Sequence, residues 1–107
     1  TPPENVDAYQ TIPVFDVSTM PVFKTRVTPD YPEALMDGEI EGQVTLSVLI
    51  DPKGHVKKIT VVRADHELFA RSAVNAMQKS RFKPATRNGE PVQTILEDVI
   101  YTFVLDD

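Results

Sequence analysis

The chain has 107 residues, nine prolines and no cysteine, which is the size of one domain and leaves out disulfide frameworks and thiol chemistry. Its 41% hydrophobic and 25% charged residues suit an ordinary globular body with a modest core. A formal charge of −5 argues against nucleic acid as a partner, since phosphate binding needs a surplus of Lys and Arg.

No apolar run approaches the roughly 18–20 residues that span a bilayer. A chain that opens on Thr1 rather than Met reads as a piece of something longer. Residues 1–30 show no sustained period, because Pro2, Pro3, Pro13, Pro21 and Pro29 each bias the preceding residue towards extended conformations. Residues 1–10 read as flexible. Ile12, Val14, Phe15, Val17, Met20, Val22 and Phe23 are too apolar for a solvated linker, so 11–30 is expected to be an extended arm packed on the body.

Tyr31 to Gly38 reads as a short helix: Pro32 suits the first helical position, Glu33 meets the positive end of the helix dipole, and Gly38 can stop the helix. From Gln43 the period becomes two, with Val44, Leu46, Val48 and Ile50 on one face of a half-buried strand. Asp51-Pro52-Lys53-Gly54 supplies a turn. The returning strand covers about 55–64, and Val56 is out of phase with Ile59 and Val61, which predicts a bulge near Lys57-Lys58.

Asp65 to Phe82 has the helical period, with Phe69, Ala73, Ala76, Met77 and Ser80 in one stripe and Pro84 as its stop. Arg87-Asn88-Gly89-Glu90 is a tight turn by composition. A last strand spans about 94–105, with Val99, Tyr101, Phe103 and Leu105 on one face and Ile100, Thr102 and Val104 on the other. The expected organisation is an arm, 1–30, and a domain, 31–107. The expected fold class is α+β: a three-stranded antiparallel sheet, order 2-1-3, packed on one face by two helices.

Charge is unevenly spread. Residues 53–87 carry nine Lys/Arg against Asp65 and Glu67, a local +7, while 31–52 and 88–107 carry −5 each. This reads as solvated basic faces, or as a surface that approaches acidic lipid head groups or an acidic receptor rim. No pattern points to catalysis or to a cofactor. His55 falls in a hairpin turn and His66 at a helix start, both read as solvent-facing and without a role, and no His/Asp/Glu spacing suits zinc or calcium. Gly38, Gly42, Gly54 and Gly89 never approach a phosphate-loop spacing, and no serine has a nucleophile-elbow context. The chain is expected not to be an enzyme.

Several pieces, in order, resemble the TonB C-terminal domain family. Tyr31-Pro32-x-Ala34 and Ile40-Glu41-Gly42-Gln43-Val44 are similar to its opening, and Ile50-Asp51-Pro52-Lys53-Gly54-His55-Val56 to its D-x-x-G-x-V hairpin. Asn75-Ala76-Met77 and Arg81-Phe82-Lys83-Pro84-Ala85 resemble its helix end and R-[FYW]-x-P signature. Arg87-Asn88-Gly89-Glu90-Pro91-Val92 matches its N-G-x-P-V turn, and Val99 to Leu105 its closing strand. The resemblance implies a periplasmic, non-catalytic adaptor, anchored to the inner membrane in its full-length form. Such an adaptor has the TonB-box peptides and plugs of outer-membrane transporters as partners, and accepts the peptide by strand addition at its last strand.

By the same resemblance, force comes from a proton-driven ExbB/ExbD-type motor through an N-terminal helix outside this sequence. Partner contact then falls on Val99, Ile100, Tyr101, Thr102, Phe103, Val104 and Leu105. It also falls on Thr28, Pro29, Asp30 and Tyr31, where enterobacterial members usually carry Gln-Pro-Gln before the tyrosine. The rival is a TonB/TolA-like envelope interaction module of another membrane protein with a different partner. A monomer is the expected state, with a strand-exchanged dimer as the alternative.

Overall fold

The computed structural model describes residues 10–105; the expected flexible stretch, apart from Gln10, lies outside them. The seven strands are β1 (Val22–Thr25), β2 (Gly42–Ile50), β3 (Val56–Ala64), β4 (Arg81–Lys83), β5 (Ala85–Arg87), β6 (Glu90–Val92) and β7 (Thr94–Phe103). The helices are α1 (Glu33–Asp37) and α2 (Glu67–Gln78), and a single 3-10 turn covers Val14–Asp16. The fold is α+β. The three long strands form one antiparallel sheet in the order β3-β2-β7, and β1-β4 and β5-β6 form two small ribbons.

Alternation explains β2. Val44, Leu46, Val48 and Ile50 are all fully buried, because every second side chain of a strand points to the same face. They join Leu35 of α1 and Phe69, Ala73 and Met77 of α2 in one core cluster, so both helices cover the same side of the sheet. The turn after β2 is held by Asp51, whose Oδ1 accepts the amides of Lys53 at 2.9 Å and His55 at 2.8 Å. Gly54 is required there twice over. Its φ is +87°, and a Cβ at this position would lie 2.0 Å from the Phe82 carbonyl oxygen.

The expected bulge on β3 is present, since Leu49 pairs with Lys58 and Ile50 with Val56, leaving Lys57 unmatched. A second bulge leaves Val62 unmatched between Val61 and Arg63.

Helix α2 is shorter than the period of the sequence. It ends at Gln78, and Arg81–Lys83 are extended as β4, antiparallel to β1. Ser80 accounts for the break: its hydroxyl donates to the Ala76 carbonyl at 2.9 Å and accepts the Val27 amide at 3.1 Å. The chain is thereby tied to the arm, and Phe82 stacks on Phe23 at 4.4 Å. His66, expected to be without a role, caps α2, with its Nδ1 accepting the Leu68 amide at 3.0 Å. His55 has a partner too, lying 3.5 Å from the Asp51 carboxylate.

The arm adds further ties. Thr11 bridges Gln93, Thr19 bridges Thr86, and the Ile12 carbonyl accepts the Thr94 hydroxyl at 2.6 Å. Between β5 and β6, Asn88 and Gly89 have φ of 54° and 86°, the pair of positive angles that a two-residue hairpin turn demands.

Candidate functional site: the open edge of β7

β7 lies at the end of the sheet, paired on one side with β2 only. Arm residues Thr11 and Ile12 flank its first residues. Beyond them, no strand among the described residues pairs with the outer edge from Ile95 to Phe103. An unpaired strand presents free N–H and C=O groups that another chain can use.

The edge has one irregularity. Leu46 pairs with Val99 and Val48 with Leu96, so Ser47 faces both Glu97 and Asp98, and Asp98 takes a φ of 62°. The extra residue flips the strand's parity. Thr94 and Leu96 face the core before it, and Val99, Tyr101 and Phe103 after it. From Val99 onwards the edge is regular.

A groove of about 460 Å³ runs beside this regular stretch. Tyr101, Thr102, Phe103 and Val104 form one wall, and Arg26, Thr28, Pro29 and Tyr31 form the other. Two segments seventy residues apart are joined there by the packing of Tyr31, whose ring meets Phe69 at 5.6 Å and Phe103 at 5.7 Å, both edge-on. The Tyr31 hydroxyl donates to the Ile40 carbonyl. Desolvation and, to a lesser degree, the Glu41 carboxylate raise its pKa above the usual 10.0.

The expected contact residues therefore divide by geometry. Thr28, Pro29 and Tyr31 line the groove with Tyr101, Thr102, Phe103 and Val104. Val99, Tyr101 and Phe103 turn their side chains into the core, at 8%, 1% and 3% exposure, so their backbone rather than their side chains faces the edge. Ile100, Thr102 and Val104 are exposed on the other face of the sheet. Asp30 is outside the groove wall, and its carbonyl accepts the Ser72 hydroxyl, fixing the arm to α2. Leu105 is half-buried and donates its amide to Glu41 Oε2 at 2.7 Å.

Sequence reasoning missed Arg26. Its guanidinium is 5.1 Å from the ring centres of both Phe23 and Tyr101, a cation held between two aromatic faces. The only signal in the sequence is a cation three residues after an aromatic. Beside it, the Tyr101 hydroxyl is buried and lacks a hydrogen-bond partner of ordinary geometry among the described residues. Burial raises its pKa, an effect that the neighbouring Ser80 hydroxyl and Arg26 guanidinium oppose.

An α+β domain with one sheet edge left open beside a groove presents backbone groups that another chain can pair with. The family model for the Gram-negative bacterial TonB protein C-terminal domain matches residues 27–105, and the chain belongs to this family of non-catalytic interaction domains. It is 30% identical over 90 residues to the protein TonB of Escherichia coli K12, covering 83% of this chain and 36% of that protein. The chain thus spans little more than a third of that relative's length. The solution NMR structure of the Pseudomonas aeruginosa TonB C-terminal domain superposes with a TM-score of 0.64 at 26% identity, covering 81% of this chain and 88% of that one.

Proposed function

We propose that this domain is the receptor-binding end of a TonB-type energy transducer in the periplasm. It takes up the extended TonB-box peptide of an outer-membrane transporter as an added strand on β7. The observation that carries this reading is the unpaired outer edge of β7 running beside the groove. In strand addition, main-chain hydrogen bonds give affinity, and pockets for alternate side chains give specificity. Here the edge offers the first, and the groove between Arg26 and Val104 offers the second. Inner-membrane anchoring and coupling to an ExbB/ExbD-type motor belong to the same proposal.

The test is an NMR titration of the domain with synthetic N-terminal peptides of transporters from the same genome. The amides of 26–31 and 99–105 should move together and saturably. Movement confined to other surfaces, or none at millimolar peptide where even weak binding registers, would rule out this edge.

A further inference from the structure

The basic stretch noted in the sequence is not used by the groove. The structure gathers part of it into one face at the far end of the sheet. Lys53 and His55 come from the β2–β3 turn, Arg81 and Lys83 from β4, and Lys24 from β1, around a hollow of about 480 Å³. Gly54 makes this possible: its carbonyl accepts the Phe82 amide at 3.0 Å, drawing the turn against β4.

The opposite end of β2 is acidic. Gly42, paired with Phe103, follows Glu39 and Glu41, and the Asp65 carboxylate accepts the Gln43 amide there. The nine residues of β2 separate the two ends by roughly 25 Å at about 3.3 Å per residue. The domain is therefore charge-polarised along its sheet, with the groove near the acidic end and the cations clustered at the other.

We propose that this basic face docks the domain onto the phosphate head groups of an anionic phospholipid bilayer. Among the described residues, Lys24, Lys53, Arg81 and Lys83 are in no ion pair; Arg81 donates only to the Ser80 carbonyl, at 3.0 Å. Unneutralised cations converging in a protein of net charge −5 are complementary to an anionic surface.

Lysines predominate. A lysine is a compact point charge on a flexible stem, which suits a fluid array of phosphates better than a fixed carboxylate pattern, where the arginine fork excels. Apolar residues sit beside the charges. Val22 pairs with Lys83 across the β1–β4 ribbon, so both share its outward face, and Val22 is 53% exposed. Met20, just before it, is 46% exposed. Cations flanked by exposed aliphatic side chains match the head-group and upper-chain layers of a bilayer.

Co-sedimentation of the whole chain with phosphatidylcholine vesicles, with and without phosphatidylglycerol, tests this. Binding should require phosphatidylglycerol and weaken as salt is raised. Lys83→Glu should lower it at least about fivefold, the worth of one surface cation near an anionic leaflet. Lys53→Glu repeats the test in the turn, should β4 fail to tolerate the change. Arg63→Glu makes the same charge change on β3 towards the acidic end and should lower binding less than about twofold.

No binding to phosphatidylglycerol vesicles would overturn the proposal. So would equal losses in Lys83→Glu and Arg63→Glu, which would mark a net-charge effect. Displacement by inorganic phosphate or by a polyglutamate peptide, at concentrations matching the lipid phosphate, would show a soluble-anion or acidic-protein site instead.

Discussion

The sheet has two outer strands, β3 and β7, and they present their edges differently. β3 is broken by two bulges, at Lys57 and Val62, and carries exposed Lys57, Lys58 and Arg63. Bulges and lysines are the usual means by which an edge is blunted against pairing. β7 has a single bulge, at Glu97-Asp98, after which five residues run regularly to Phe103 with no cation among them. Its exposed side chains there are Ile100 and Thr102. The contrast leaves one side of the sheet open: β3 is blunted against an added strand, and β7 runs unpaired beside a groove.

The largest effect should come from removing what holds both edges in place. Phe69 is fully buried and stacks on Phe103 of β7 at 4.4 Å. Phe69→Ala should cost about 3–5 kcal/mol in urea unfolding, as large-to-small core changes do. A loss below about 1 kcal/mol would mean that β7 does not depend on this helix contact.

Proline scanning separates the two edges directly, because proline deletes a backbone donor whatever the side chain. In β7, substitutions at Ile100, Tyr101, Thr102 and Phe103 should fall into two alternating classes. One class breaks the ladder to β2 and unfolds the domain; the other stays folded and loses peptide binding. In β3, folded proline variants at Ile59 or Thr60 should bind peptide as the parent does. Thr102→Ala, which spares the backbone, should change affinity only slightly. If every folded β7 variant binds normally, strand addition at this edge is wrong.

Much of this contrast is visible in the sequence wherever a repeat states burial directly. The two-residue alternation of Val44 to Ile50 and the stripe Phe69, Ala73, Ala76 and Met77 are such cases, and so is the phase slip at Val56 that marks a bulge. Long-range pairings of short segments leave no such mark. β1 and β4 pair across nearly sixty residues through four- and three-residue strands, and the helical period running on to Phe82 hides β4. The same holds for Arg26, whose place between Phe23 and Tyr101 depends on a fold that brings arm and last strand together. Residues 28–31 and 99–105 stood out as a candidate site through their resemblance to a family pattern. The groove that joins them is a product of packing.

A smaller effect tests whether the arm shields a surface. β1 covers β4, and Phe82 is only 2% exposed under Phe23. The whole chain should scatter light as a monomer. A version starting near residue 30 should form dimers, because β4 loses its partner and Phe82 its cover. Equal masses for both would remove the arm from the account, leaving the bulges and exposed cations of β3 as the guard against self-pairing.

The smallest change concerns the groove wall itself. The Tyr101 hydroxyl is buried without a well-formed hydrogen bond, so its loss removes an unsatisfied polar group and leaves the ring packing intact. Tyr101→Phe should leave stability at neutral pH unchanged or slightly raised, since an unpaired buried donor costs about 1–3 kcal/mol. Alkaline pH supplies the sign. Burial raises the folded-state pKa above the unfolded value near 10.0, so the neutral phenol's stabilising contribution is complete below that value. It is lost as pH climbs through the folded pKa. Parent stability should therefore fall more steeply above pH 10 than that of Tyr101→Phe. Parallel denaturation curves for the two proteins across that range would show that the phenol ionises as readily in the folded protein as in the unfolded chain, and that burial does not hold it neutral.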